Sequence, residues 1–493
     1  MSGKTVFALS LLLLSSLLYA RSGSFQPRTS NTNLVHNLNT GLNYTTIQAA
    51  INANETLDGH TIFVEAGTYY ENVVVDKSIF LIGENRNTTA IDVLGVGTAV
   101  QITANNVLVE NFTMRNSEPA LGECGIRLSI VEGCNISWNV LVNSGRDGIM
   151  LSYSLNNCVA ENVIVNSGGS GIVIYNSEND NVEKNVVKNS KVHGILIQNS
   201  SVCQISGNFI IDSVDDGIAI LASRENLFHQ NTVTMGNAYG LRLDDPSNNN
   251  TFTENVATDN EGCGIWMWYS SSNRLYHNFC NNTRNVEILS ASVYNSANTW
   301  DAGAFSGGNY WSDYNGSDAD HDGIGDLPYV IDANNIDRYP LMGKFQSFNA
   351  SSSYSVDVIS NSTIYHFGYF ESDKTIEMLI SNMTVGQGYG FCRVIIPNVL
   401  MNIDKVQVLV DDSREGVLFA NYSVYRDATQ SCIYFAYEYP THKIDIIPEF
   451  SSFLVLLVAV SAMLTIPLCR KRIRRPSSRD ISDPWPRRMW IQC

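Results

Sequence analysis

The chain has 493 residues, of which 48 are acidic and 31 basic, giving a formal charge of −17 with only 16% charged residues. Affinity built on neutralising phosphates needs clustered Lys and Arg, so nucleic acid is not expected as a partner. A 44% hydrophobic content with 23 Tyr and 35 Gly excludes a disordered chain and points to strands joined by tight turns.

At the N-terminus, Lys4, an apolar run over 6–18 and Tyr19-Ala20-Arg21 have the charged, hydrophobic and small-residue order of a secretory signal peptide over residues 1–21. Residues 46–51 read as a short amphipathic helix, and 61–64, 69–73 and 79–83 as first strands. Such a helix suits the lid of a solenoid, whose open end exposes strand edges and core.

A repeat follows. Glycines at 125, 148, 171, 194, 217, 240 and 264 are spaced by 23 residues five times and then by 24, and each precedes an apolar-x-apolar strand start such as Ile172 and Ile174 or Ile195 and Ile197. Nine residues before each later glycine stands an asparagine: Asn139, Asn162, Asn185, Asn208, Asn231 and Asn255, with Asn278 continuing the series. A unit this short cannot bury its apolar face alone, so copies must stack. Period-two alternation means strands, and short strands joined by turns make one coil of a parallel β-helix with coils about 4.8 Å apart. The asparagines then form an internal ladder that satisfies backbone groups at a buried turn.

The solenoid with its cap is expected over 35–300, a closing segment with an aspartate-rich loop over 301–345, and a small β-sandwich over 350–445, where alternating segments replace the glycine period. Residues 450–469 are apolar and long enough to cross a bilayer, and the basic run from Arg470 to Arg475 opens a cytoplasmic tail over 470–493. Everything between signal and span is then extracellular, in keeping with sequons at Asn43, Asn87, Asn111, Asn135, Asn249, Asn281, Asn315, Asn382 and Asn421. Eight of the ten cysteines fall outside the membrane, mostly as single buried thiols; Cys124 and Cys263 are six repeats apart and cannot bond, whereas Cys392 and Cys432 could bridge within the sandwich.

The lid, the segment 59–83, the Gly-Ile-x-Ile and Asn-x-Val-x-x-Asn repeats and the closing run 308–314 (GNYWSDY) resemble the right-handed parallel β-helix family of NosD-type and CASH (carbohydrate-binding and sugar-hydrolysis) domains, over roughly residues 35–345. The resemblance implies a pectin-lyase-like solenoid, a fold that carries lyases, hydrolases, adhesins and a copper-delivery accessory protein. Pro448-Glu449-Phe450 resembles the anchor signal of archaeal surface proteins.

Stacking turns the period into lanes of lateral neighbours. The position before each glycine reads Cys124, Asp147, Ser170, His193, Asp216, Tyr239 and Cys263, so His193 adjoins Asp216. Asp215-Asp216-Gly217 and His193-Gly194 resemble the paired-aspartate and histidine coils of polygalacturonase-type hydrolases, in reversed order; His193, Asp215 and Asp216 are the catalytic candidates. Asp147 lies three coils from Asp216, about 14 Å, beyond the ~6.5–9.5 Å that inverting hydrolysis uses. Asp215 and Asp216 point to opposite faces if extended and form a pair only if the turn bends. Outward positions after the glycines place Trp266 and Trp268 on one side of a strand with Arg242, Asp244 and Asp245 one coil away and Tyr175 farther along the lane, a set suited to sugar rings and hydroxyls.

Copper would need imidazole or soft ligands in a cluster; His193, His229 and His277 occupy different repeat positions and Met114, Met150, Met235 and Met267 are scattered, so no copper site is visible. Asp318, Asp320, Asp322 and Asp326 alternate along a glycine-containing loop as calcium ligands do, without the closing Glu of an EF-hand and with Asp332 or Asp337 available to complete the shell. The expected protein is a membrane-anchored extracellular β-helix that binds carbohydrate or other surface polymers, with structural calcium. The alternatives are a polysaccharide lyase or glycoside hydrolase, a structural or adhesion protein, and a NosD-like copper accessory protein.

Overall fold

Each repeat supplies three strands of three to six residues, too short to form a sheet alone, so every strand finds its hydrogen-bond partners in the coils above and below. The computed structural model describes residues 34–289, 296–412, 416–439 and 441–448. The signal peptide expected at 1–21, the apolar stretch 450–469 and the basic tail 470–493 lie outside the described residues. Among those described, no helix is long and apolar enough to cross a membrane.

The solenoid is an all-β parallel β-helix with faces of twelve, eleven and ten strands. Stacking is in register, Ile172 on Ile195 and Ile195 on Ile218, and these isoleucines are fully buried in one continuous core. The repeated glycine marks a close approach of neighbouring backbones: a Cβ at Gly194 would stand 2.6 Å from the carbonyl oxygen of Gly217. Corners are turned by single left-handed residues, among them Asn143, Asn166 and Asn189 at φ 54°, 59° and 56°.

The asparagine ladder runs inside one corner. The backbone N and Nδ2 of Asn162 both donate to Oδ1 of Asn185 at 3.0 Å, and Nδ2 also reaches the Ile136 carbonyl at 2.8 Å. The pattern repeats through Asn208, Asn231, Asn255 and Asn278 to Asn309, and ends on Asp337, whose Oδ2 accepts from the Asn309 backbone N at 2.8 Å. A second ladder, not foreseen, runs from Asn157 to Asp180, breaks at Cys203, and resumes through Asn226, Asn250, Asn273 and Asn298 to Asn335. Its sequence signal is the same spacing of Asn or Asp, visible at 157 and 180 and again at 226, 250 and 273.

Both solenoid ends are covered. At the N-terminal end the helix Ile47–Asn52 buries Ile47, Ala50 and Ile51, capped by Thr46 and by the Glu71 carboxylate, which accepts from the Ile47 and Gln48 backbone at 2.9 Å. Lys77 Nζ takes the carbonyls of Ile51, Ala53 and Thr56 at the helix's other end. At the C-terminal end Tyr310–Trp311 adds a last strand to the eleven-stranded face, and the buried indoles of Trp300 and Trp311 donate to Asn335 and Asp337 at the ladder ends.

Beyond it, two five-stranded antiparallel sheets enclose a separate core built around Val356, Ile376, Val394, Val408, Phe435 and Ile446. The Cys392–Cys432 bridge is ruled out by strand parity. Cys392 faces that core with Val394 and Ile396, whereas Cys432 lies on the opposite face of the same sheet, near Arg393 and Asp322, and both are free thiols.

Asp180 is a fault in the second ladder. Its Oδ1 serves Asn157, but its buried Oδ2 has no hydrogen bond, and burial raises its carboxyl from the ordinary range to about 6. A carboxyl whose folded pKa exceeds its unfolded value binds its proton more tightly when folded, so its contribution to stability falls as pH rises from about 4 to 6. His277, lowered by burial to about 4, acts oppositely across that whole window, so a difference between variants isolates Asp180. Asp180→Asn is expected to raise stability at pH 7 by on the order of 2 kcal/mol, the gain vanishing toward pH 4, as read from urea midpoints of both proteins across that range.

Candidate functional site

The glycine lane brings its members together by stacking, because the Gly194 backbone N donates to the Asp216 carbonyl at 3.0 Å. His193 thereby lands on the two successive aspartates: its Nδ1 lies 3.2 Å from Asp216 Oδ2 and 3.9 Å from Asp215 Oδ2. The turn does bend, so both carboxylates reach one imidazole. His193 and Asp216 are buried while the Asp215 side chain is 46% exposed, which leaves one side open to solvent. Asp216 Oδ1 accepts from the Tyr239 backbone N at 3.4 Å, and Asp147, on the same lane, likewise accepts from Ser170 N at 2.7 Å. Lane aspartates therefore share a structural task, and only Asp216 adds an imidazole partner.

An ion-pair chain continues outward. Arg242 stands 3.5 Å from Asp216 Oδ2 and 2.6 Å from Asp244 Oδ2; despite its partial desolvation, the two carboxylates hold the guanidinium pKa above its ordinary value. Asp244 in turn accepts from the Asp245 backbone N. The guanidinium also lies 5.3 Å from the centre of the Trp266 ring, and Tyr239 stacks on that indole at 5.2 Å. Trp266, 8% exposed, is thus covered by its neighbours. Trp268 is half-buried against Tyr269, ring centres 4.4 Å apart, and Tyr175 meets the 60% exposed Tyr153 edge-on at 5.8 Å. The lane Tyr175, Gln198, Leu221, Asp244 is continuous on the ten-stranded face, so the partly open rings stand at two ends of a middle made of Gln198, Leu221 and the buried Asp244.

Among the described residues, two groups of three potential ligand side chains bring donor atoms within 4.8 Å of one another: His193, Asp215, Asp216, and Asp318, Asp320, Asp322. In the second group Asp318 accepts from the backbone of Asp322 and Gly323, and burial with the nearby charge of Asp320 raises the carboxyls of Asp318 and Asp322. Asp326 is not brought to it; its Oδ2 accepts from Ser317 and Ala319. Asp332 holds Asn335 and Asp337 ends the ladder, so neither completes that shell. Arg393, which sequence reasoning missed, donates to the Asp322 carbonyl at 2.7 Å, its carboxylate at 3.1 Å and the Phe305 carbonyl at 2.9 Å, joining sandwich to solenoid. Only a long-range fold could reveal an arginine whose partners lie about seventy residues away.

A family model described as periplasmic copper-binding protein (NosD) matches residues 27–201 and 100–316, more than half the chain. A cell surface glycoprotein of Methanothermus fervidus is 37% identical over 110 residues, which span 22% of this chain and 18% of that protein's length. Among solved structures, the mannuronan C-5 epimerase AlgE6 A-module of Azotobacter vinelandii aligns with TM-score 0.48 and 16% identity, over 54% of this chain and 81% of that one. Tailspike protein 2 of Escherichia coli O157:H7 bacteriophage CAB120 aligns with TM-score 0.42 and 11% identity, over 78% and 61%.

Arg393 is 2% exposed, so its removal strands the Asp322 carboxylate at the junction. Arg393→Ala is expected to destabilise by less than the roughly 3–5 kcal/mol of a fully buried pair, Asp322 being partly solvated. Scanning calorimetry is expected to show the sandwich melting ahead of the solenoid in the variant and a single transition in the wild type.

Proposed function

The chain belongs to the NosD family, and from that premise we propose that it is an extracellular surface protein whose β-helix binds an extended carbohydrate through its ten-stranded face. The observation that carries the reading is the continuous lane from Tyr175 to Asp244, with the ring pairs Tyr153–Tyr175, edge-on, and Trp268–Tyr269, tilted, at its two ends. Four coil steps separate the ends, about 19 Å, a span for a polymer lying along the solenoid axis. The match to a surface glycoprotein, the signal-like residues 1–21 and the sequons support an outside location, and residues 450–469 with the basic tail would anchor the chain in the membrane. Trp268, Tyr175, Arg242, Asp244 and Asp245 are the residues assigned to the glycan, with Trp266 holding Arg242 in place.

A second reading, polysaccharide lyase or glycoside hydrolase, is favoured by the convergence of Asp215 and Asp216 on His193. Copper, as the family description states it, is supported less by the donors present. His277 is neutral and held by Ser306, His229 sits beside Glu254, Met114 and Met267 are sealed in the core, and burial pushes the Cys203 and Cys263 thiols up to about 12. The two donor groups that do come together among the described residues contain imidazole and carboxylates and no cysteine, a harder set than cuprous copper prefers.

Calcium is assigned to Asp318, Asp320 and Asp322, where it would offset the repulsion among three carboxylates beside the Arg393 junction. Chelation is then expected to lower the thermal midpoint of the wild type and to leave Asp320→Ala unmoved; an unchanged wild-type midpoint would remove calcium from the account.

The function is tested by screening the purified protein on a polysaccharide array while assaying the same wells for reducing ends and unsaturated products. Binding without product, weakened in Trp268→Ala by about the 1 kcal/mol or so that a stacking ring supplies, is the expected outcome. Product formation abolished by Asp216→Asn would favour the enzyme instead, and neither signal would leave an adhesion or envelope role.

A further inference from the structure

We propose that His193, Asp215 and Asp216 form a binding site for one divalent cation of borderline softness, of the zinc or cobalt class, open to solvent on the Asp215 side. The inference is independent of the carbohydrate reading.

The first observation is geometric. Nδ1 of His193 lies 3.2 Å and 3.9 Å from one carboxylate oxygen each of Asp216 and Asp215, and all three donor atoms fall within 4.8 Å of one another. Ligands bound at about 2.0–2.1 Å in a tetrahedral shell are separated by about 3.3 Å, so the cluster is already near the spacing a small cation imposes. Three protein ligands and one open position make the pattern of a cation that keeps a solvent or substrate ligand.

The second observation is a pair of orphaned atoms. Nδ1 of His193 and Oδ2 of Asp216 are both fully shielded from solvent and neither makes a hydrogen bond; they face each other at 3.2 Å, and Oδ2 has the Arg242 guanidinium 3.5 Å away as its one further charged neighbour among the described residues. Their residues are 7% and 0% exposed. The other oxygen of Asp216 is engaged with the Tyr239 backbone, so Oδ2 is free of that structural task. Buried polar atoms left without a hydrogen bond are rare and call for an occupant or a function.

Charge agrees in sign and size. Asp215, Asp216 and Asp244 carry three negative charges around one guanidinium, that of Arg242, which stands off from Asp216 at 3.5 Å while binding Asp244 at 2.6 Å. The remaining two negative charges match a divalent ion. An imidazole with two carboxylates selects a borderline ion, whereas calcium takes six to eight oxygens, more than this corner offers.

The test is a titration of the purified full-length protein with Co(II), followed by visible ligand-field absorption, with Zn(II) and Ca(II) as competitors. One equivalent is expected to bind with a tetrahedral spectrum, displaced by Zn(II) and not by Ca(II). His193→Ala should weaken it by more than the about 10–100-fold that even outer-shell changes cost. Asp215→Asn, at an exposed side chain that can change without disturbing the coil, should weaken it as well, while His229→Ala leaves it unchanged. Circular dichroism of each variant separates lost binding from lost folding. An absent spectrum in the wild type, or one that survives both His193→Ala and Asp215→Asn, would overturn the proposal and leave a proton-sharing His–Asp pair.

Discussion

The structure depends on one constraint: a corner of backbone buried between stacked coils must have its amides and carbonyls bonded, since no water reaches them. Asparagine meets it because one side chain both accepts and donates, so each copy serves the coil on one side and is served by the coil on the other. That requirement locks the period. A repeat that shifted by one residue would break the ladder and turn every core isoleucine outward, which is why Asn162, Asn185 and Asn208 share one register with Ile172, Ile195 and Ile218. Where one coil is a residue longer, the extra residue falls between Asp244 and Ser247, at a corner, because Leu221 still pairs with Asp244 while the serine ladder steps from Ser223 to Ser247. That extra residue is thus displaced to the rim of the face that carries Asp244, Asp245 and Trp268.

The same constraint explains how differently three buried aspartates behave. Asp337 accepts from a backbone N and an indole with one oxygen and from the Tyr339 backbone with the other, so a carboxylate is the right terminator for a ladder that has no further coil to serve. Asp180 stands where an amide belongs, and one oxygen is left without a donor. Asp216 uses one oxygen as a lane residue and turns the other toward His193 and Arg242. Asp180 and Asp216 thus both keep a surplus acceptor, and Asp216 differs in having an imidazole and a guanidinium facing it.

Beyond the last coil, regular stacking ends and different physics takes over. The closing segment buries two tryptophans over the solenoid end, and a small cluster around Ile324, Leu341, Phe345 and Tyr434 fills the space toward the sandwich. Arg393 crosses this junction with both its charge and its aromatic contacts, to Phe305 and Tyr425. Its hold on Asp322 ties the acidic loop to the sandwich, so the state of that loop and the coupling of the two units are linked.

The architecture is legible in the residue pattern: glycine and asparagine spacing sets the coil, alternation sets the strands, and both follow from local rules repeated often enough to be read. The same pattern makes His193 and Asp216 neighbours, because in a solenoid period converts directly into distance. Whatever depends on the direction of a side chain at a bend, or on partners far along the chain, is set by packing in three dimensions. Asp215 joins Asp216 because its turn departs from the extended geometry in which they would oppose each other; Trp266 is covered because Tyr239 and Arg242 lie over it. Cys392 and Cys432 point apart because strand parity depends on a register that antiparallel pairing sets across some forty residues, and the acidic loop gains Arg393 instead of Asp326, because long-range packing, not spacing, chooses its neighbours.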